Sequence, residues 1–205
     1  MTQGIKNTLL IIFSFIALML GMLIYNMMTP KSLTAEGYKA LGYYGFPEPR
    51  VILPFTLTDQ LGQPVGLTDL KGQWSVLFFG FTYCPDICPT TLGVLNRAVK
   101  KMAIPPQVVL VSVDPERDTP EQLAAYLAGF NANFQGYTGT FDDLVGLATN
   151  VNIAFGKIPG AEPGTYTMDH SASMVVVDPF GRYAGFIKSP HQAEKIQKII
   201  ESLRR

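Results

Sequence analysis

The 205 residues predict an α/β domain held behind a single membrane-spanning helix. Three observations carry that expectation. Residues 8–28 form one apolar run without a charge. Two further runs, 74–82 (WSVLFFGFT) and 108–113 (VVLVSV), are continuously apolar, as strands are when both faces of a sheet are covered. Between and after them, helix-start signals recur at Thr119, Thr140 and Ser189.

The first run, TLLIIFSFIALMLGMLIYNMM, is 21 residues long. At a helical rise of about 1.5 Å per residue it spans a hydrocarbon core of roughly 30 Å. A cleaved signal peptide competes with this assignment, but its apolar part is normally shorter and ends in a small-x-small site. Here the run passes into Tyr25-Asn26-Met27-Met28-Thr29-Pro30, so residues 1–28 are expected to be an uncleaved anchor. Lys6 lies before the run and Lys31 and Lys39 after it, so basic residues alone do not orient it. Residues 29–50, rich in Gly, Pro and Tyr, are expected to be a linker, and 51–205 the folded domain. Sixteen basic residues balance sixteen acidic ones, and 47% of the chain is hydrophobic. That composition excludes a charged disordered chain and lacks the basic footprint of a nucleic-acid binder.

Within the domain, 51–57 and 65–68 look like short strands around the turn Asp59-Gln60-Leu61-Gly62, with Pro54 marking the first as an edge strand. After the strand at 74–82, residues 89–102 carry Leu92, Leu95, Ala98, Val99 and Met102 at helical spacing. Thr119-Pro120-Glu121-Gln122 offers an N-cap, proline at the first helical position and Gln at the third. Thr140-Phe141-Asp142-Asp143 caps a second helix with acids that complement its dipole. Strands at 172–177 and 182–187 flank the tight turn Asp178-Pro179-Phe180-Gly181. Ser189-Pro190-His191-Gln192 then repeats the Thr119 pattern and opens a last helix to Leu203. Setting aside the first hairpin and one helix leaves β-α-β-α-β-β-α. The expected fold class is therefore α/β, thioredoxin-like, with an extra N-terminal β-hairpin and an inserted helix, preceded by one transmembrane helix.

The only two cysteines, Cys84 and Cys88, fall in the loop after the first core strand. A helix starting just beyond them presents unpaired N–H groups and a positive dipole end, which favour thiolate over thiol. A structural disulfide would close only three intervening residues and gain little unfolded-state entropy. Redox catalysis usually employs Cys-x-x-Cys; this spacing is one residue longer, which alters the geometry without removing the chemistry. Metal binding is the third option. Two thiolates hold Cu(I), and a nitrogen ligand lets the site accept Cu(II).

Of two histidines, His191 sits at the second position of the expected C-terminal helix, a solvated or cap-adjacent place. His170 stands just before the strand at 172, a segment that runs beside the cysteine loop in a thioredoxin fold. Asp169 or a backbone carbonyl would orient its ring. Two Cys and one His make a soft three-ligand site that favours copper over structural zinc, which wants four protein ligands. Catalytic zinc, with three ligands and an open position, is the minority option, and Met168 is read as core rather than ligand.

Three motifs together resemble the SCO/SenC family: Gly80-Phe81-Thr82-Tyr83-Cys84-Pro85-Asp86-Ile87-Cys88-Pro89, then Val111-Ser112-Val113-Asp114-Pro115-Glu116-Arg117-Asp118-Thr119-Pro120, then Asp169-His170-Ser171. The resemblance implies a membrane-tethered thioredoxin-fold protein that binds Cu(I) or Cu(II) on Cys84, Cys88 and His170. Asp86 and Asp114 are carried over as supporting residues. It further implies a role in assembling the copper A centre of cytochrome c oxidase, with the copper A-bearing subunit and a copper donor protein as partners. The alternative is a thiol–disulfide oxidoreductase keeping a partner's copper-ligating cysteines reduced, with Cys84 and Cys88 as the redox pair. A peroxiredoxin-like peroxidase is a third option, because Thr82-Tyr83-Cys84-Pro85 is loosely similar to a peroxidatic loop. With no Arg-rich transit segment before the anchor, the expected location is a bacterial inner membrane, single-pass, with the domain in the periplasm.

Overall fold

The computed structural model describes residues 3–28 and 33–204. It divides into two units, Met1–Leu33 and Thr34–Arg205. The first is a single helix, α1 (Gln3–Met28), which starts a turn earlier than the uncharged run and takes in Lys6. Its stretch Gln3–Tyr25 is long and apolar enough to cross a membrane. Within this unit the described side chains as far as Tyr25 are exposed, including Leu10, Ile11, Phe13 and Leu18. Residues 29–32, with which the expected linker begins, lie outside the described residues.

In the second unit the expected linker is structured. Thr34 caps a short helix α2 (Ala35–Ala40) by accepting the Gly37 N–H, and β1 (Tyr43–Val51) follows. β1 pairs antiparallel with β10 (Arg182–Ile187), Tyr43 opposite Ile187 and Val51 opposite Arg182, with a register shift between Gly45 and Arg50. Gly and Pro hid this strand. Its prolines sit on a sheet edge, where a missing N–H costs no ladder bond, and the break in register absorbs the irregular stretch.

The expected strand at 51–57 is accordingly displaced. β2 (Thr56–Asp59) pairs with β3 (Pro64–Gly66), and Pro54 lies before it. The turn between them is fixed as predicted. Asp59 Oδ1 accepts the N–H groups of Leu61 and Gln63, and Gly62 takes φ +77°. β4 (Ser75–Gly80) and β5 (Gln107–Ser112) are buried along their whole length and run parallel. One eight-stranded sheet results, in the order β1-β10-β9-β4-β5-β6-β2-β3, with β6 at Gln135–Thr138 and β9 at Met174–Val177. The four strands β10-β9-β4-β5 form the thioredoxin core.

α3 (Ile87–Val99) follows β4 and buries Leu92, Leu95 and Ala98. α4 (Pro120–Ala128) and α5 (Phe141–Asn150) begin where their caps require, Thr119 accepting from the Gln122 N–H and Thr140 from that of Asp143. The last helix departs from expectation. The Ser189–Pro190 bond is cis, and α6 (Ala193–Leu203) starts after Gln192, without a side-chain cap. Between α5 and β9 lies a second, two-stranded sheet, β7 (Phe155–Pro159) with β8 (Tyr166–His170).

Candidate metal centre

The sequence expectation leaves both cysteines ahead of their helix. In the structure α3 begins at Ile87, so Cys88 lies in its first turn. Asp86 stands at the N-cap but makes no side-chain cap bond. The Cys88 N–H instead donates to Cys84 Sγ at 3.4 Å. A sulfur thus takes the place that a capping oxygen usually fills. Cys84 is half-buried, Cys88 wholly so, and both are free thiols. On the outer side Tyr83 and Ile87 are more than half exposed and flank Cys84.

Cys88 reaches its position over a glycine. A Cβ on Gly80, at the end of β4, would lie 3.0 Å from Cys88 Sγ and 2.9 Å from the Phe78 ring. Burial pushes the Cys88 thiol well above its ordinary value. That corrects the expected preference for thiolate at this sulfur, because desolvation outweighs the helix end.

His170 is the last residue of β8, not part of a loop before the next strand, which starts at Met174. Its Nδ1 lies 3.2 Å from the Ser171 carbonyl oxygen. A carbonyl only accepts, so Nδ1 carries the proton and Nε2 offers a lone pair. Nε2 faces Cys88 Sγ at 3.7 Å. With bonds of about 2.3 Å to sulfur and 2.0 Å to nitrogen, as zinc shows, ligands at 109–120° stand roughly 3.5–3.7 Å apart. The pair therefore already has a metal-chelating spacing. Burial holds the imidazole below the ordinary histidine value, hence neutral and able to coordinate. The edges or faces of Phe78 and Phe81 enclose it at near-perpendicular angles. Among the described residues no three His, Cys, Asp or Glu side chains already converge on one metal-sized point. Cys84 Sγ is turned to the α3 N-terminus, where it accepts the Cys88 N–H.

The second motif ties the two halves together. Asp118, fully buried, accepts from the Thr82 N–H at 3.2 Å, the Thr82 hydroxyl at 2.7 Å and the Ser112 hydroxyl at 2.7 Å, so it grips the chain two residues before Cys84. Asp114 is also buried and accepts from the Tyr166 hydroxyl at 2.9 Å and from Arg117 Nε. The Arg117 guanidinium lies 4.0 Å from the Tyr166 ring centre and 4.9 Å from that of Tyr83. It bridges the cysteine loop and the hairpin carrying His170. Ser171 clasps the base of that hairpin, donating its N–H to the Ala154 carbonyl and accepting the Ala154 N–H. Sequence reasoning held Asp114 as supporting but gave no role to Gly80, Arg117, Asp118 or Tyr166. Asp86 is exposed and makes none of these hydrogen bonds. His191 is part-buried and its Nε2 donates to the Ala172 carbonyl at 2.8 Å, which fixes the segment after His170. Met168 is buried in the core, as expected.

Residues 46–205 match the SCO1/SenC family profile. A Stutzerimonas stutzeri protein carrying a provisional copper-binding name is 38% identical over 162 residues, 77% of this chain and 78% of its own. Mitochondrial SCO1 of Saccharomyces cerevisiae is 32% identical over 166 residues, and this chain spans only 56% of its length. Among solved structures, copper-bound ScoI of Arabidopsis thaliana superposes with a TM-score of 0.70 at 31% identity, covering 75% of this chain and 99% of that one. BsSco, described as having a disulfide switch and as a member of the Sco family of cytochrome c oxidase assembly proteins, matches at a TM-score of 0.62 and 27% identity, over 76% of this chain and 94% of its own.

Proposed function

This chain belongs to the SCO1/SenC family, and from that premise we propose that it is a membrane-tethered copper chaperone that holds its cargo on Cys84, Cys88 and His170. The observation that carries the reading is the Nε2 lone pair of His170 facing Cys88 Sγ at 3.7 Å while Nδ1 is committed to a carbonyl. Bound copper supplies a soft Lewis acid that keeps both sulfurs deprotonated. The protein's own part is to present the donors. Ser171 fixes the tautomer, Gly80 makes room for Cys88, and Asp118 and Arg117 hold loop and hairpin at one spacing. Half-exposed Cys84, flanked by Tyr83 and Ile87, is where an incoming thiolate exchanges for the outgoing ligand. The copper A-bearing subunit of cytochrome c oxidase is the proposed recipient. A bacterial inner membrane with the domain in the periplasm is the proposed setting, α1 being the anchor.

The test uses the full chain in detergent, loaded with Cu(I) or Cu(II), as wild type, Cys84→Ser, Cys88→Ser and His170→Ala. Cu(II) binding is lost in all three variants, whereas Cu(I) binding is damaged mainly by the cysteine changes. Wild-type Cu(II) affinity in His170→Ala would remove the three-ligand site. A second reading, disulfide exchange on a partner's cysteines, is favoured by the asymmetry of an accessible Cys84 and a buried Cys88, an attacking and a resolving thiol. Robust reduction of insulin-type disulfides, together with copper binding indifferent to His170, would put it first.

A further inference from the structure

The carbonyl that orients His170 is itself held from both sides. His170 Nδ1 donates to the Ser171 carbonyl at 3.2 Å, and that carbonyl belongs to the peptide plane joining Ser171 to Ala172. On its N-terminal side, Ser171 donates its N–H to the Ala154 carbonyl at 2.9 Å, and its hydroxyl accepts the Ala154 N–H at 3.1 Å. On its C-terminal side, Ala172 and Ser173 belong to no strand, because β9 starts at Met174. There the Ala172 carbonyl accepts from His191 Nε2 at 2.8 Å. The two backbone dihedrals of Ala172 are all that separates this carbonyl from the plane on which His170 rests.

His191 is committed to this contact. A carbonyl only accepts, so Nε2 carries the proton, and the bare Nδ1 is buried with no hydrogen-bond partner among the described residues. Behind it α6 begins at Ala193 and buries Ile196, Ile199 and Ile200, so the donor stands on a packed base.

We propose that His191 is a positioning residue of the copper site: through Ala172 it fixes the Ser171 carbonyl, and so the direction in which His170 presents Nε2 to the metal. The inference rests on the copper reading above. On that reading two thiolates suffice for Cu(I), whereas Cu(II) needs the imidazole. A misdirected imidazole therefore weakens Cu(II) binding and spares Cu(I).

The experiment titrates the full chain in detergent with Cu(I) and with Cu(II), as wild type, His191→Gln and His191→Asn. Pulsed electron paramagnetic resonance of the Cu(II) forms reads the remote, protonated nitrogen of the bound imidazole, whose coupling reports its hydrogen bond. The Gln amide nitrogen reaches about where His191 Nε2 stands, whereas the shorter Asn amide falls short of the carbonyl. His191→Asn lowers Cu(II) affinity roughly three- to tenfold, the range for losing one hydrogen bond. It also shifts the remote-nitrogen coupling and leaves Cu(I) affinity unchanged, while His191→Gln keeps wild-type values of all three. Wild-type Cu(II) affinity and coupling in His191→Asn overturn this inference alone, as does a His191→Gln that fails to rescue. Equal losses of Cu(I) and Cu(II), or loss of the fold in His191→Asn, mark a general packing role and overturn it too. A wild type whose Cu(II) shows no imidazole coupling overturns the three-ligand reading and this inference with it.

Discussion

At the scale of residues, the site depends on space and tautomer as much as on ligand identity. Gly80 has no positive φ to justify it; it is required because a methyl there would meet Cys88 Sγ at 3.0 Å and Phe78 at 2.9 Å. Gly80→Ala is therefore expected to cost about 1–3 kcal/mol by overpacking and to weaken copper binding by shifting Cys88, checked by denaturant melts and metal titration of one preparation. The two histidines make a pH prediction. Burial holds both below the unfolded value of about 6.5. The stability they contribute is thus fully present above that value and is lost as pH falls toward and through their folded values, because the unfolded chain takes up the protons first. Denaturation midpoints of the metal-free protein should drop between roughly pH 7 and 5, and the drop should shrink in His191→Gln. An unchanged pH profile in that variant would contradict the assignment of His191 as a buried neutral donor.

At the scale of elements, the helix caps and the buried strands were legible and the site's supporting hairpin was not. β4 and β5 are uninterrupted apolar runs, and α4 and α5 start on threonines whose hydroxyls do accept the expected N–H groups. β7 and β8 escape such reasoning. They are half-exposed, contain Gly156 and Pro159, and pair only with each other, so neither a continuous apolar run nor a clean alternation marks them. α6 shows the opposite failure. A sound capping pattern at Ser189-Pro190 was overruled by tertiary contacts, His191 being drawn to the Ala172 carbonyl before the helix begins. The cysteines and His170 could be named from residue types and family resemblance, but their mutual spacing could not. That spacing is set by Asp118 and by the Asp114–Arg117–Tyr166 cluster. Asp118→Ala strands the Thr82 N–H and two hydroxyls and should cost about 3 kcal/mol or more. Tyr166→Phe loses one bond to a carboxylate, about 1–2 kcal/mol, and should speed amide exchange through β7 and β8 while leaving β4 and β5 protected. Uniform loss of protection across the domain would mean that the hairpin is no separate unit.

At the scale of the whole molecule, a helix fit for a membrane and a domain bearing a soft donor set belong to one chain. The domain keeps Cys88 as a buried thiol in the metal-free state, so metal uptake must release protons and therefore weaken as pH falls. Removing residues 1–33 is expected to shift the protein from the membrane to the soluble fraction, read by carbonate extraction, with the copper site unaltered. The three-ligand site is tested most directly by what surrounds the metal, and copper K-edge X-ray absorption of the loaded full chain reads that. The predicted Cu(II) shell contains two sulfurs at about 2.3 Å and one imidazole nitrogen at about 2.0 Å, with the nitrogen absent in His170→Ala. A shell of oxygen and nitrogen alone, or one unchanged by that substitution, would contradict it.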